Sequence, residues 1–245
     1  MMQEAPHAGP NFALLDLHDL DVSRRTVTLR HLMIKNLILD WSGTLANDLP
    51  AVLQGLNRML KLFRRPQLTE AEFRERFRLP YTEFYGEVLP GVPLEKLKAL
   101  YLRFFPNSLP MIPLIDHARE FLEYAAAEKK RMVLFSSAPL DHVEEQARHL
   151  GVWHFFEHAA CGVIDKREHI ATVMSEIGFE PQHTAFVGDM RHDIEAGKAA
   201  RVLTIATCTG YESVAKLQSA EPDHLIANLS ELPALLAAFG AGVHG

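Results

Sequence analysis

The sequence predicts an α/β fold, a doubly wound parallel sheet with an inserted all-helical segment, and three observations lead to this prediction. In the second half of the chain, short apolar runs typical of buried strands alternate with stretches of helical spacing. Between the first two apolar runs lies a long stretch with several helical patterns and no strand pattern. Polar residues follow several of the apolar runs, at the edge where open α/β sheets bind their ligands.

The composition restricts the classes of function. The chain has 245 residues, 48 % hydrophobic and 23 % charged, which is enough for a substantial core in one unit or in one domain with an insertion. The formal net charge of -6 gives no basic surface for nucleic acid or an anionic membrane. Two distant cysteines suggest reduced thiols, and no apolar run approaches the roughly 18 to 20 residues of a membrane span. We therefore expect a cytoplasmic protein.

The first strand is predicted at Leu37–Leu39. This continuous apolar run is typical of a strand buried on both faces, although a buried helix has the same pattern. Asp40 follows the run, and Gly43 ends the element and lets the backbone approach a bound group closely. Residues 1–32 mix polar and weakly apolar segments and are interpreted as an N-terminal extension that is partly disordered or an accessory element.

Helical patterns fill the stretch from Asn47 to about Pro113. Asp48 is expected to cap a helix that has Pro50 in its first turn, and Thr69 opens a second helix with a capping box. Several helices without a strand between them predict a compact helical insertion. The chain then divides into an extension (1–32), a core (33–46 and 114–245) and the helical insertion (47–113).

Strand and helix patterns alternate after the insertion, which predicts parallel strands joined by right-handed crossovers. The predicted strands are Met132–Phe135, Thr184–Val187, Val202–Ala206 and Leu225–Ala227. The predicted helices are about 114–130, 140–150, 167–177, 193–200 and 232–239.

Four polar motifs follow in order along these elements and resemble those of the haloacid dehalogenase-like (HAD) phosphohydrolase superfamily. They are Asp40, Gly43 and Thr44 in the string LDWSGT, Ser136 after the second strand, Lys166 at a helix start, and Gly188, Asp189 and Asp193 in the string VGDMRHD. The helical insertion matches the position of the superfamily's C1 cap, and its LPYTEF string is similar to phosphoglycolate phosphatase-like members. The resemblance covers Ile34 to Phe239 and implies a Rossmann-like HAD core.

The resemblance implies a Mg²⁺-dependent hydrolase of a small phosphorylated metabolite. A phosphoryl group repels an attacking carboxylate, and Mg²⁺ is a hard cation that prefers oxygen ligands. By the family pattern, Asp40 is the nucleophile that forms an aspartyl-phosphate. The implied metal ligands are Asp40, the backbone carbonyl of Ser42, Asp189 and Asp193. The implied substrate contacts are Ser42, Gly43, Thr44, Ser136, Ser137 and Lys166, of which Ser136 and Lys166 also act in catalysis.

Ser42 departs from the family pattern, because phosphatases of this superfamily have a second aspartate there as acid and base. A serine hydroxyl is a poor acid or base near pH 7, and losing such a group typically lowers the rate by about 10² to 10⁴. Hydrolysis of the aspartyl-phosphate should therefore be slow. The alternative is a catalytically weakened phosphate-binding or regulatory protein.

A phosphonoacetaldehyde hydrolase is a further alternative, because members of that group have a similar D-W-A-G-T string around the nucleophile. Their chemistry needs a cap lysine that forms a Schiff base with the aldehyde. The segment Arg78–Gly86, where that lysine is expected, contains none, so this specificity is disfavoured. Substrate identity and oligomeric state are not predicted from the sequence.

Overall fold

The computed structural model of the protein describes residues 33–105 and 112–239. Within them, six strands form one parallel sheet in the order β3-β2-β1-β4-β5-β6, so the predicted fold class is confirmed. The strands are β1 (Asn36–Leu39), β2 (Arg131–Phe135), β3 (His158–Ala160), β4 (Thr184–Gly188), β5 (Leu203–Thr207) and β6 (His224–Ile226).

The described residues also contain ten α-helices. Those inserted after β1 are α1 (Leu49–Leu62), α2 (Glu70–Arg76), α3 (Tyr81–Val88) and α4 (Leu94–Phe104). Those that alternate with the later strands are α5 (Ala118–Ala127), α6 (Leu140–His149), α7 (Lys166–Ile177), α8 (Arg191–Ala199), α9 (Val214–Ser219) and α10 (Leu232–Ala238).

The central strand β1 sets the position of the site. It pairs with β2 on one side and β4 on the other, and Leu39 is level with Leu134 and Val187 in the two neighbours. Successive side chains of a strand point to opposite faces, and Leu39 and Ile38 accordingly belong to separate hydrophobic clusters. Because the three strands end at the same level, the residues that follow them lie side by side.

The inserted helices are joined to the core by two adjacent chain segments and form a cap over the carboxyl edge of the sheet. The amide of Asn47 donates to the Pro113 carbonyl at 2.9 Å, where the chain enters and leaves the cap. Tyr211 of the core belongs to the same buried cluster as the cap helices, and its ring centroid lies 5.8 Å from that of Phe73. The cap therefore closes over the ends of β1, β4 and β5.

Some local features differ from the sequence analysis, which did not predict the short helix α9. The strand β3 was not predicted, because its three residues are only partly buried and carry no strong apolar pattern. Asp48 makes no capping hydrogen bond at the start of α1, so its expected capping role is wrong. The predicted capping box at Thr69 is confirmed.

The predicted domain boundaries stay predictions, and residues 1–32 lie outside the described residues. Within residues 33–105 and 112–239, no helix has the length and apolar character needed to cross a membrane.

Candidate active site

The loop after β1 turns back on itself directly after Asp40. The amide of Ala46 donates to the Trp41 carbonyl at 2.9 Å, and Gly43 has φ +78°, a left-handed conformation that favours glycine. Trp41 is fully buried and its Nε1 donates to Gln146 Oε1 at 2.6 Å, which ties the loop to α6. This tight turn holds the Asp40 carboxylate at the sheet edge.

Lys166 is the first residue of α7 and bridges two aspartates. Its Nζ donates to Asp40 Oδ1 at 2.5 Å and to Asp193 Oδ1 at 2.7 Å, and all three side chains are buried. Burial alone would lower the pKa of Lys166, but the carboxylates of Asp193 and Asp40 outweigh burial and raise that pKa above its ordinary value. The lysine is therefore a fixed positive charge beside Asp40.

Asp189 is fully buried next to Asp40 and accepts two hydrogen bonds. Thr44 Oγ1 donates to Asp189 Oδ1 at 2.9 Å, and the Tyr211 amide donates to Asp189 Oδ2 at 2.6 Å. Thr44 Oγ1 also lies 3.3 Å from Asp40 Oδ2. These contacts fix the orientation of the two carboxylates relative to each other.

The carboxylates of Asp40, Asp189 and Asp193 converge. One oxygen from each lies within 4.8 Å of the others, and all three residues are buried. Burial raises the pKa of both Asp40 and Asp189 above the ordinary range, because water is removed from their charged forms. Lys166 is the one cation that contacts these carboxyl groups among the described residues, so their charged forms need a further positive charge. The donor set therefore fits a hard divalent cation such as Mg²⁺.

Two serine hydroxyls lie at the end of β2 and line the same cavity as Asp40. Ser136 is 1 % exposed, and its Oγ accepts a hydrogen bond from the Ala138 amide at 3.2 Å. The Oγ of Ser137 is buried and has no hydrogen-bond partner among the described residues. A buried hydroxyl without a partner is costly by about 1–3 kcal/mol. The Ser137 hydroxyl therefore has an unused hydrogen bond beside the cavity, and the contact of both serines with a substrate stays a prediction.

A cavity of about 420 Å³ lies between the cap and the sheet edge. The predicted site residues that line it are Asp40, Ser42, Ser136, Ser137, Lys166 and Asp193. The other three, Gly43, Thr44 and Asp189, lie outside the lining. Thr44 and Asp189 bond to each other, and the Gly43 carbonyl accepts a hydrogen bond from Thr209 Oγ1 at 2.8 Å. The substrate contacts of Gly43 and Thr44 stay a prediction.

Ser42 is hydrogen bonded to a buried carboxylate. Its hydroxyl donates to Asp48 Oδ2 at 2.6 Å, and Tyr211 Oη donates to Asp48 Oδ1 at 2.9 Å. Asp48 is 3 % exposed, and this burial raises the pKa of its carboxyl group to about 6 even though both hydroxyls stabilise the charged form. Ser42 therefore occupies the position where the family has an acidic residue, and its hydroxyl is hydrogen bonded to the carboxyl group of Asp48 at the entrance to the cap.

Three residues of the site were missed by the sequence analysis. They are Asp48, Tyr211 and His192, whose Nε2 accepts a hydrogen bond from the Lys166 amide at 2.9 Å. Tyr211 could have been found from the sequence, since it follows the predicted strand Val202–Ala206 at the same sheet edge. Asp48 was not recognised as a site residue, because the sequence around it is equally typical of a helix start.

The comparison with known families identifies the class of protein. The protein-family model described as haloacid dehalogenase-like hydrolase matches residues 37–207, which is well over half of the chain. The protein therefore belongs to the haloacid dehalogenase-like hydrolase family, and the predicted superfamily is confirmed.

Individual relatives agree with this assignment. Phosphoglycolate phosphatase of Haemophilus influenzae is 24 % identical over 214 residues, which cover 80 % of this chain and 96 % of the relative. Phosphoglycolate phosphatase of Synechococcus elongatus is 23 % identical over 199 residues, which cover 80 % of this chain and 94 % of the relative.

Solved structures show the same fold. A predicted phosphoglycolate phosphatase from Haemophilus somnus 129PT superposes with a TM-score of 0.72 at 20 % identity, covering 82 % of this chain and 97 % of that one. CbbY from Rhodobacter sphaeroides, solved in complex with phosphate, superposes with a TM-score of 0.70 at 18 % identity, covering 82 % and 96 %.

Proposed function

We propose that the protein is a Mg²⁺-dependent phosphatase that transfers the phosphoryl group of a small phosphorylated metabolite to Asp40 and then to water. The observation that supports this most directly is the Asp40 carboxylate, which faces a cavity and lies 2.5 Å from the Lys166 ammonium. Membership of the hydrolase family supports the reaction class, and relatives named phosphoglycolate phosphatase support phosphate monoesters as substrates.

The converging carboxylates would hold the metal ion. Asp40, Asp189 and Asp193 supply oxygen donors within 4.8 Å of one another, and the Ser42 carbonyl is the further ligand in this proposal. When bound, the ion supplies positive charge that suppresses repulsion between the Asp40 carboxylate and the phosphoryl group.

In the proposed first step, the transfer of the phosphoryl group to Asp40, several side chains that line the cavity have separate roles. A carboxylate oxygen of Asp40 attacks phosphorus, and a bond forms there as the bond from phosphorus to the ester oxygen breaks. Lys166 compensates the negative charge between Asp40 and the phosphoryl oxygens. The hydroxyls of Ser136 and Ser137 donate hydrogen bonds to those oxygens, and preorganised donors of this kind stabilise a transition state effectively.

Asp48 acts through Ser42 in this proposal and replaces the missing acid and base. As water attacks phosphorus, the bond from phosphorus to Asp40 breaks and a water proton passes to Ser42 Oγ. The Ser42 hydroxyl proton passes at the same time to Asp48 Oδ2, which lies 2.6 Å away. In the first step the same route runs in reverse and delivers the Asp48 proton to the leaving oxygen. A carboxyl group with a pKa of about 6 can serve in both directions near neutral pH.

Asp48→Asn is expected to lower phosphate release by about 10²-fold, the low end for the loss of an acid or base. Ser42→Ala should cause a similar loss. The double variant should lose no more than either single variant, because Asp48 acts only through Ser42. Single-turnover hydrolysis of the phosphorylated enzyme measures the effect, and thermal unfolding shows whether each variant is folded. Losses that multiply in the double variant would contradict the relay.

The proposed function is tested by measuring Mg²⁺-dependent phosphate release over a panel of phosphorylated metabolites, with Asp40→Asn as the blank. We expect turnover in the wild type and none above background in the variant, because the variant lacks the attacking carboxylate. Mg²⁺-dependent phosphate binding without turnover in the folded wild type would instead favour the regulatory alternative.

The structure offers little support for the alternative that the protein is a phosphonoacetaldehyde hydrolase. One cap lysine, Lys98, lines the cavity, but its Nζ lies 3.0 Å from Glu95 Oε1, and this hydrogen bond raises the pKa of Lys98. A Schiff base needs the neutral amine. The pairing with Glu95 therefore acts against that chemistry.

A further inference from the structure

We propose that the site takes phosphate monoesters whose alcohol part is uncharged, apolar and of ring size, in preference to small carboxylated esters such as phosphoglycolate. This inference rests on the proposed function, because the phosphate end of the ester is placed at Asp40. It concerns the wall of the cavity that would contact the rest of the substrate.

The cap wall of the cavity is apolar and aromatic. Its side chains come from the segment before α3, from α3 itself and from α4, and they include Leu79, Tyr81, Tyr85, Leu94, Leu97 and Tyr101. The polar residues that line the cavity are concentrated at the sheet edge, around Asp40 and Ser136. A substrate with its phosphate at Asp40 therefore presents its alcohol part to apolar side chains.

The size of the cavity also favours a bulky alcohol part. Its volume of about 420 Å³ lies within the range of about 300 to 1,000 Å³ that holds drug-sized ligands. Each methylene buried against an apolar wall strengthens binding by about fourfold. Phosphoglycolate has a single methylene and a charged carboxylate, so it would leave most of this wall uncovered.

The charges that line the cavity disfavour a second anionic group. Among the described residues that line it, the cations are Lys98 and Lys166, and neither is unpaired. Lys166 is committed to two buried carboxylates, and Lys98 lies 3.0 Å from Glu95. Asp141 adds a negative charge to the core side of the lining. A substrate carboxylate would therefore lose water and would have to compete with Glu95 for Lys98, the one lining cation outside the buried carboxylate cluster.

The tyrosines of the cap wall are neutral polar groups. Burial raises the pKa of Tyr85 and Tyr101 above the ordinary value, so both keep their hydroxyl protons at neutral pH. Such hydroxyls can bond to an ether or hydroxyl oxygen of an alcohol part, and they carry no positive charge that would offset the desolvation of a carboxylate.

The direct test compares kcat/KM for ethyl phosphate, cyclohexylmethyl phosphate and phosphoglycolate, with Asp40→Asn as the blank. All three are esters of primary alcohols, so they differ mainly in what they present to the cap wall. We expect cyclohexylmethyl phosphate to exceed the other two by at least about tenfold, from the apolar surface that it buries. A higher kcat/KM for phosphoglycolate would overturn this inference and leave the proposed function intact.

Binding of phosphonates separates the two proposals if no ester is hydrolysed. Cyclohexylmethylphosphonate and carboxymethylphosphonate lack the bond that breaks, so calorimetry on the wild type with Mg²⁺ reports recognition alone. Tighter binding of the cyclohexyl compound would support the apolar pocket even if the phosphatase proposal failed. Equal or weaker binding would overturn the inference.

A charge placed on the cap wall should reverse the preference. Leu102 lines the cavity and is 52 % exposed, so Leu102→Arg should fold and should move the kcat/KM ratio towards phosphoglycolate by about tenfold. Leu62 is 55 % exposed, lies on a cap helix outside the lining and provides the matched control Leu62→Arg. An unchanged ratio in Leu102→Arg, or an equal shift in both variants, would show that this wall does not select the alcohol part.

Discussion

Replacing Lys166 with methionine is expected to lower phosphate release by about 10³-fold, the upper end of the loss seen when one preorganised donor is removed from an active site. The Nζ of Lys166 lies 2.5 Å from Asp40 and 2.7 Å from Asp193, and all three side chains are almost completely buried. Methionine keeps most of the length and the apolar character of the stem but removes the charge. The attacking carboxylate and the phosphoryl oxygens would then repel each other with one cation fewer.

The same substitution should destabilise the protein when no metal ion is added. Removing one partner of a buried ion pair typically costs about 3–5 kcal/mol, because the remaining charge stays buried without compensation. Chemical unfolding in EDTA and in Mg²⁺ measures this, and added Mg²⁺ should recover part of the lost stability in Lys166→Met.

Lys130→Met is the matched control for that experiment. Lys130 is a half-buried lysine whose Nζ donates to the Ile34 carbonyl at 2.8 Å, and it lies at the opposite edge of the sheet, before β2. Its loss should reduce stability slightly and leave turnover unchanged. Comparable losses of activity in both variants would show that the effect of Lys166→Met is general rather than electrostatic.

The central strands could be predicted because strands buried on both faces consist of continuous apolar runs in the sequence. Every residue of β1 and β4 is buried, and each run is followed directly by an aspartate of the site. The edge strand β3 is different, since it has one strand neighbour and its three residues are only partly buried. The other edge strand, β6, is equally short but was predicted, because it contains Leu225 and Ile226, whereas β3 has the sequence His-Ala-Ala and contains no large apolar residue.

The site could be predicted where its side chains follow strand ends in the sequence, or where they match a motif of the family, as Lys166 and Asp193 do. Asp40, Ser136 and Asp189 meet because parallel strands end at one edge, and this geometry follows from the fold class. The contact of Asp48 with Ser42 and Tyr211 depends on how the cap entrance packs against the loop after β5. That packing joins positions far apart in the chain, and the local pattern around Asp48 pointed to a helix cap instead.

Gly43 is the single glycine of the loop that carries Asp40 (residues 40–46, the nucleophile loop). Gly43→Ala is expected to destabilise the protein and to lower turnover by at least about 10²-fold. A Cβ at Gly43 would lie 2.5 Å from Asp189 Oδ2 and 2.7 Å from Tyr211 Cδ2, at a residue whose φ is +78°. The left-handed backbone alone costs about 1–2 kcal/mol for a residue with a side chain. The contact adds a displacement of Asp189, one of the three converging carboxylates.

Gly91→Ala separates the cost of the left-handed backbone from the cost of the close contact with Asp189. Gly91 has the same φ of +78°, and a Cβ there would have no neighbour within 4 Å. We expect this variant to lose only the backbone contribution and to keep full turnover. The difference between the two variants in the free energy of unfolding then measures how tightly the nucleophile loop packs against Asp189. Equal destabilisation with unchanged turnover in Gly43→Ala would mean that the loop can shift without disturbing the carboxylates, and the close approach would then not constrain the site.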